Sequence, residues 1–424
     1  MRSGLFLLRE NTFRRYWLGQ TISGFGDQIS GFALPVLAVL MLDARAWQMG
    51  LLTALVWIPH LLFGIHAGMW ADRRRRRRRV MIAADLARMV VVGSVPLAFA
   101  CGMLTLIQLL VVAFATGCAA VVFEVCNARL FTAVVTPERY LDAHALIHGS
   151  RAVALVSGPS VGGALVQLLS APVALVADAI SFAASAGALA RMRVADQPAD
   201  TPARGGLGEG LRFIAAAPVM RAALAATATV NLCTFMLAPL VPLYVLSVLG
   251  VAAGLLGLIQ GLGAIGALLG ALCAGTIARR LGVGATFATG CVLFTAPLAL
   301  IPLAHGRGPI VVALLATAEF GSGLGVMWLD VTVSSISTAF TPERLRSRVV
   351  GAYQAVNFGV RPLGSLAGGV LGSVLGLRAT LWLAVLGASA AVLWLAPSPL
   401  PRLRTLPTPH ETPGESAPID DAVR

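Results

Sequence analysis

The sequence contains no lysine, so all 32 of its basic residues are arginine. With its abundant alanine and glycine, this reads as codon bias rather than a functional choice. Charge of either sign is scarce, at 12% of residues, where soluble domains carry about 25%. Hydrophobic residues make up 57% and mean hydropathy is +0.83, so a water-facing globular fold could not hide the apolar surface. The composition indicates a polytopic membrane protein. The six cysteines (Cys101, Cys118, Cys126, Cys233, Cys273, Cys291) lie in apolar stretches without a CxxC pair, and read as inert buried thiols. No Walker loop is present, which argues against ATP as the direct energy source. His144 and His148 stand four apart with no third ligand and read as a surface pair, so no metal is expected. The first apolar segment is too long for a signal h-region, holds Pro35 and lacks a small-residue cleavage site.

A helix needs about 20 apolar residues to cross a bilayer. Such runs, bounded by charge or by Gly/Pro, fall near 16–41, 47–70, 80–101, 104–128, 146–169, 171–190, 221–249, 254–278, 284–304, 309–338, 349–376 and 378–397. If the N-terminus is cytoplasmic, 25 arginines face that side and only Arg45, Arg307 and Arg378 face the other; Arg88, Arg129, Arg151 and Arg361 lie within or at the ends of spans. The positive-inside rule then places both termini in the cytoplasm. This also accounts for the run Arg73–Arg79 between two apolar stretches. A nucleic-acid-binding protein would carry such a run on a soluble domain, and a membrane enzyme would show a polar catalytic cluster; the sequence has neither.

The chain repeats itself. Thr136-Pro137-Glu138-Arg139 recurs as Thr341-Pro342-Glu343-Arg344, and Gly68-x-x-Ala71-x-Arg73 is echoed by Gly275-x-x-Ala278-x-Arg280, at offsets of 205 and 207 residues. The expected fold is an all-α membrane protein of twelve transmembrane helices in two six-helix pseudo-symmetric halves. Transporters built from such parallel repeats hold their substrate between the halves. The expected domains are an N-terminal half over 1–190, a linker with an amphipathic segment over 191–220, a C-terminal half over 221–397 and a disordered tail over 398–424. The amphipathic segment, LGEGLRFIAAAPVMRA, has the composition to lie along a membrane surface.

These features resemble the major facilitator superfamily. Gly68-Met69-Trp70-Ala71-Asp72-Arg73, with Arg76 and Arg77, is similar to that family's loop 2–3 signature, although Arg75 stands where the family has glycine. Gly158-Pro159-Ser160-Val161-Gly162-Gly163 resembles the core of its antiporter motif. FRRYWLGQTISGFGDQIS at 13–30, DAISF at 178–182, GLRFIAAAPVMR at 210–221 and RPLGSLAGG at 361–369 are similar to the macrolide-efflux-type exporters, the drug:proton antiporter-3 branch. The resemblance implies that Gly68, Asp72, Arg73, Arg76 and Arg77 form a gating latch that protonation of Asp72 loosens, the other arginines of the run setting topology. It implies that Gly158, Pro159, Gly162 and Gly163 seal the protein against leak; the residues alone read as a kinked helix with a bare packing face.

Carboxylates at membrane depth are functional candidates by default. Asp27, about 16 Å into the first span at 1.5 Å per residue, and Glu319 in the tenth are the foremost candidates for proton carriage or for pairing with a cationic substrate. The alternative for both is a structural ion pair with Arg151 or Arg361. Glu124, near Arg129, Asp178 and Asp330 are further cavity candidates, and Asp85 and Arg88, three apart on one helix face, are expected to pair. Gly261-x-Gly263-x-x-Gly266 satisfies a nucleotide-binding pattern, but no strand precedes it; it reads as a helix-packing surface.

The expected function is export of amphipathic small molecules, antibiotics or secondary metabolites and siderophores, by a proton-coupled carrier. The alternative is an uptake symporter or facilitator on the same fold. Neither catalysis nor a cofactor is expected, the proton gradient being the energy source. The partners are a small-molecule substrate and the lipid bilayer, with no nucleic acid. The chain is expected to act as a monomer in the bacterial inner membrane.

Overall fold

The computed structural model describes residues 7–72, 76–192 and 207–406, and among these the secondary structure is helical with no strand. Six long helices come first: α1 (Asn11–Leu42), α2 (Ala46–Asp72), α3 (Arg77–Ala100), α4 (Leu106–Val134), α5 (Tyr140–Leu168) and α6 (Ala171–Ala190). A short helix, α7 (Leu207–Ala216), leads into α8 (Pro218–Leu237), α9 (Ala253–Leu281), α10 (Val283–Thr295), α11 (Pro309–Phe340), α12 (Arg346–Val374) and α13 (Leu377–Ser389). Tighter turns at Ala296–Ala299 and Ala390–Leu395 prolong α10 and α13, and a π-helical turn at Tyr244–Val248 follows α8.

Ten of these segments are long and apolar enough to cross a membrane. The other two long helices, α5 and α12, each have 29 residues, ample for a hydrocarbon core of about 30 Å. They are less apolar because they carry Arg151 and Arg361 among serines and glycines. Pro35, Pro59, Pro96, Pro159 and Pro362 lie inside helices. Neighbouring helices make such prolines tolerable in a membrane by satisfying the freed backbone groups.

The chain forms two compact units, Met1–Ala203 with Val245–Gly261, and Arg204–Tyr244 with Leu262–Arg424. In the first, α1 packs on α5 and α6, α3 on α4 and α6, and α2 on α4. In the second, α8 packs on α12 and α13, and α10 on α11. There α9 approaches α11 through Gly263, Gly266 and Gly270. Counting α8–α13 as spans seven to twelve, the second unit repeats the neighbour pattern of the first. The repeated Thr-Pro-Glu-Arg sequence takes matching form in both, a 3₁₀ turn at Pro137–Arg139 before α5 and at Glu343–Leu345 before α12. The Glu138 carboxylate in the first turn is held below the usual carboxylate range by its own backbone N–H, then by the Thr136 hydroxyl and Arg139.

Two expectations change. The segment after Ser398 is ordered through Leu406: Leu400 and Leu403 are buried in one cluster with Ile214, Met220, Phe287, Ile336 and Val349. The Gly284 N–H donates to the Leu403 carbonyl at 2.8 Å and that of Val283 to Arg404 at 3.3 Å, so this strap supplies acceptors to the start of α10 that a helix N-terminus lacks. Leucines spaced three apart, not the Pro and Thr around them, decide its fate; residues 407–424 lie outside the described structure. The linker helix α7, in turn, rests on protein. Gly210 packs on the Arg348 backbone, Glu209 forms an ion pair with Arg348, and Ile214 is buried.

Three of the seven consecutive arginines, Arg77–Arg79, are the first turn of α3 rather than loop. Arg78 donates to the carbonyls of Ala190 (3.4 Å) and Met192, and Arg15 donates to that of Arg191. Those carbonyls end α6, where the helix dipole is negative and acceptors are unsatisfied. Arg78, read as part of a topological surplus, thus closes a helix end.

Candidate transport site

The first unit gathers charge from six helices. Asp27 comes from α1, His60 from α2, Asp85 and Arg88 from α3, Glu124 from α4, Arg151 from α5 and Asp178 from α6. Asp27 is exposed to solvent yet has Arg88, Glu124, Arg151 and Asp178 as electrostatic neighbours, so its open face looks inward, into the bundle. Of the sequence candidates, the structure therefore unites Asp27, Glu124, Asp178, Asp85, Arg88 and Arg151.

Asp178 is buried and satisfied. Its Oδ1 accepts from the Ser181 hydroxyl at 3.0 Å, one turn on, and its Oδ2 from Ser30 of α1. Gly26 makes the approach possible, because a Cβ there would collide with the Asp178 Oδ1 and the Ser181 hydroxyl. Asp178 thereby ties α6 to α1 directly beside Asp27.

Asp85 and Arg88 do not form the expected ion pair. The Arg88 guanidinium lies between two rings, 5.3 Å from the Phe123 centroid and 5.2 Å from that of Phe182. Aromatic faces attract a desolvated guanidinium, and from this position its charge acts on Asp27, Asp85, Glu124 and Asp178 together. Asp85 is fully buried beside Ser185, and neither of its oxygens is hydrogen-bonded among the described residues.

In the second unit, Glu319 lies against α9, where a Cβ on Gly263 would stand 3.1 Å from its Oε2. It forms no ion pair among the described residues, so neither Arg151 nor Arg361 neutralises it. Arg361 is the charge facing Asp330. Its guanidinium is 5.0 Å from the Phe235 centroid and 4.5 Å from that of Phe358, and its Nε donates to the Asn231 Oδ1 at 3.4 Å. Asn231 Nδ2 donates in turn to the Asn357 Oδ1 at 3.0 Å. Each unit thus holds one arginine between two phenyl rings.

The motif on α5 is a close-packed seam. A Cβ on Gly158 would collide with Gln28 Cβ of α1, and one on Gly163 would stand 2.9 Å from Gly257 Cα at the start of α9. Gly257 in turn faces the Pro159 carbonyl, and the Ser160 hydroxyl donates to the Gly257 carbonyl at 3.3 Å. In the loop 2–3 signature, Gly68 and Asp72 fall on the last turns of α2, and their side chains, like all of Arg73, lie outside the described residues. Arg76 is exposed, Arg77 is buried at the start of α3, and Arg129 is exposed at the far end of α4.

Reading the sequence alone missed His60, one of two histidines in the apolar second span, and the ring pairs around Arg88 and Arg361. The signal for His60 was available, since an ionisable group at membrane depth is costly. The phenylalanines gave none, because in a membrane helix they look like lipid-facing residues. Among the described residues no group of His, Cys, Asp or Glu is arranged to hold a metal ion.

Among the described residues, twelve long helices in two repeated halves, with carboxylates and arginines set within the spans themselves, define an integral membrane carrier rather than an enzyme. The chain belongs to the Major Facilitator Superfamily, whose family model matches residues 16–360. It is 26% identical over 398 residues to the multidrug efflux pump Tap of Mycolicibacterium fortuitum, covering 91% of this chain and 94% of the pump. It is 28% identical over 372 residues to the pump of the same name in Mycobacterium tuberculosis, covering 84% and 85%. The fold is shared with a bacterial homologue of the iron transporter ferroportin in its inward-facing state (TM-score 0.75, 15% identity, 91% of this chain and 98% of that one). It is also shared with the nucleoside transporter NupG (TM-score 0.71, 12% identity, 91% and 98%).

Proposed function

We propose that this transporter exports amphipathic, cationic small molecules of the antibiotic or secondary-metabolite class in exchange for protons, by alternating access. One observation carries the reading. The first unit sets four carboxylates (Asp27, Asp85, Glu124, Asp178) against two guanidiniums, Arg88 and Arg151. Unpaired charge at membrane depth is costly. Such a cluster lowers its cost by holding protons or by accepting a cation, and these two ways of neutralising it exclude each other. Competition of that kind is what an exchanger requires. Two relatives are named multidrug efflux pumps, which supports the outward direction.

Asp27 is the foremost proton carrier, since it is both reachable and central; Glu319 and Asp330 serve the second unit. Asp178 holds α1 and α6 in place around it. The arginine-rich end faces the cytoplasm of a bacterial cell, with both termini inside and the chain acting as a monomer in the inner membrane. Gly68, Asp72, Arg73, Arg76 and Arg77 act there as the latch, and the α5 seam limits leak. No cofactor is needed: one proton moving down a membrane potential of 100 mV yields about 2.3 kcal/mol.

The test is proton movement in everted vesicles. With an interior-acid gradient in place, adding a cationic drug should release protons from the lumen and accumulate the drug inside. Accumulation without proton release would remove the coupling, and no accumulation of any drug tested would favour uptake.

A further inference from the structure

In α2, His60 lies at the point where two helices touch through their backbones. A Cβ on Gly117 of α4 would stand 2.7 Å from the Val56 carbonyl and 3.1 Å from Pro59 Cγ, so α2 and α4 meet there without intervening side chains. Both helices run toward the arginine-rich end. One turn beyond Val56 on α2 comes His60, and two turns beyond Gly117 on α4 comes Glu124. The contact fixes these two side chains opposite each other, with His60 Nε2 3.7 Å from Glu124 Oε2.

The partners differ in exposure. The His60 side chain is 12% exposed and that of Glu124 is 60% exposed, so the carboxylate presents an open face to anything entering the bundle while the imidazole stands behind it. The Trp57 ring is 5.3 Å from that of His60, one turn back on the same face of α2. The carboxylate thus stands beside an imidazole that an indole flanks, and an organic cation is drawn both to a carboxylate and to an aromatic face. The other charges facing Glu124 are Arg88 from α3, Arg151 from α5 and Asp27 from α1.

We propose that Glu124 and His60 form an exchange site, in which a proton on His60 and an organic cation compete to neutralise Glu124. Imidazole is the side chain that changes charge between about pH 5 and 8. Protonated, His60 pairs with Glu124 and closes it to a second cation. When a cation binds Glu124, the imidazolium N–H bond breaks, the proton leaves to water, and the cation takes its place as counter-charge, so the site's net charge is unchanged. This rests on the proposed export of cations but assigns recognition to α2 and α4, residues distinct from Asp27.

The probe is tetraphenylphosphonium, bound at equilibrium to the purified full-length protein without any gradient, between pH 6 and 8. Wild-type affinity should rise with pH, by up to about tenfold per unit. H60Q should bind equally at all pH values, at the wild-type high-pH affinity, and H60R weakly throughout. E124Q should bind weakly without pH dependence, whereas E124D should keep the slope. A wild-type slope in H60Q, or wild-type affinity in E124Q, overturns the proposal. Tetraphenylphosphonium should also release about one proton per molecule bound at pH 6 from wild type and none from H60Q. Release that persists in H60Q assigns the proton to another group and sinks the exchange site. Loss of drug-driven proton flux in D27N alongside an unchanged slope in H60Q leaves the export reading standing and removes this one.

Discussion

Gly163 of α5 and Gly257 at the start of α9 meet backbone to backbone: a Cβ on Gly163 would stand 2.9 Å from the Gly257 Cα and 3.1 Å from the Ala253 carbonyl. Neither neighbour is a flexible side-chain end that could turn away. Without a hydrophobic driving force between helices in lipid, close packing of this kind is a main source of association. Gly163→Val should therefore force the helices apart, at a cost of about 1–3 kcal/mol. The melting temperature of the purified protein should fall and drug-driven flux with it. Wild-type melting in G163V would show that the seam yields freely.

Removing a proton acceptor should separate binding from coupling. Asp27→Asn and Glu319→Gln each keep the shape of the side chain and lose its charge. Drug-induced proton release in everted vesicles should fall at least about tenfold in each, a change equivalent to about 1.4 kcal/mol. Full proton release in both would remove these residues from the coupling scheme.

Arg88 should not tolerate lysine. A planar guanidinium stacks on Phe123 and Phe182 in a way an ammonium cannot. Arg88→Ala leaves Asp85 and its neighbours without that charge, and losing one side of a buried charge cluster costs about 3–5 kcal/mol. Thermal unfolding should rank wild type above R88K, and R88K above R88A. If R88K unfolds with wild type, charge alone suffices and the stacking is incidental.

The strap after Ser398 should matter to stability. Leu400 is wholly buried, and truncating such a leucine to alanine costs about 2–5 kcal/mol. Stopping the chain after Pro397 should lower the melting temperature markedly, and stopping after Leu406 should not. Equal melting of the two truncations would place the strap outside the folded unit.

Glu138 gives a small effect of known sign. Its carboxylate is held below the usual range in the folded chain, so its contribution is present above the ordinary glutamate pKa of about 4.3 and is lost as pH falls through the lowered value. The melting difference between wild type and Glu138→Gln should shrink on acidification. A difference that grows toward low pH would reverse the assignment.

Much of this was legible in one sequence because membranes simplify the code. Span length, arginine asymmetry and two repeated phrases suffice for a twelve-helix duplicated fold. Asp27, Glu124 and Asp178 could be singled out because burying a carboxylate in lipid is costly whatever its partners. Partners were harder to read. Spacing of three suggested that Asp85 and Arg88 would join, but it says nothing of Phe123 and Phe182, which come from other helices and capture the guanidinium. The strap was misread for a similar reason: proline and threonine dominate its composition, while Leu400 and Leu403 decide where it packs.

The arginines that close the end of α6 have a consequence for tolerance to change. Arg15 and Arg78 donate to the carbonyls of Ala190, Arg191 and Met192, groups that every residue possesses. The joint therefore makes no demand on the exposed side chains at 190 and 191, although Met192 is held separately by its burial in the core, and it requires long, forked donors at 15 and 78. A homologue could rewrite Ala190 and Arg191 and leave the fastening intact, while replacing Arg15 or Arg78 would weaken it.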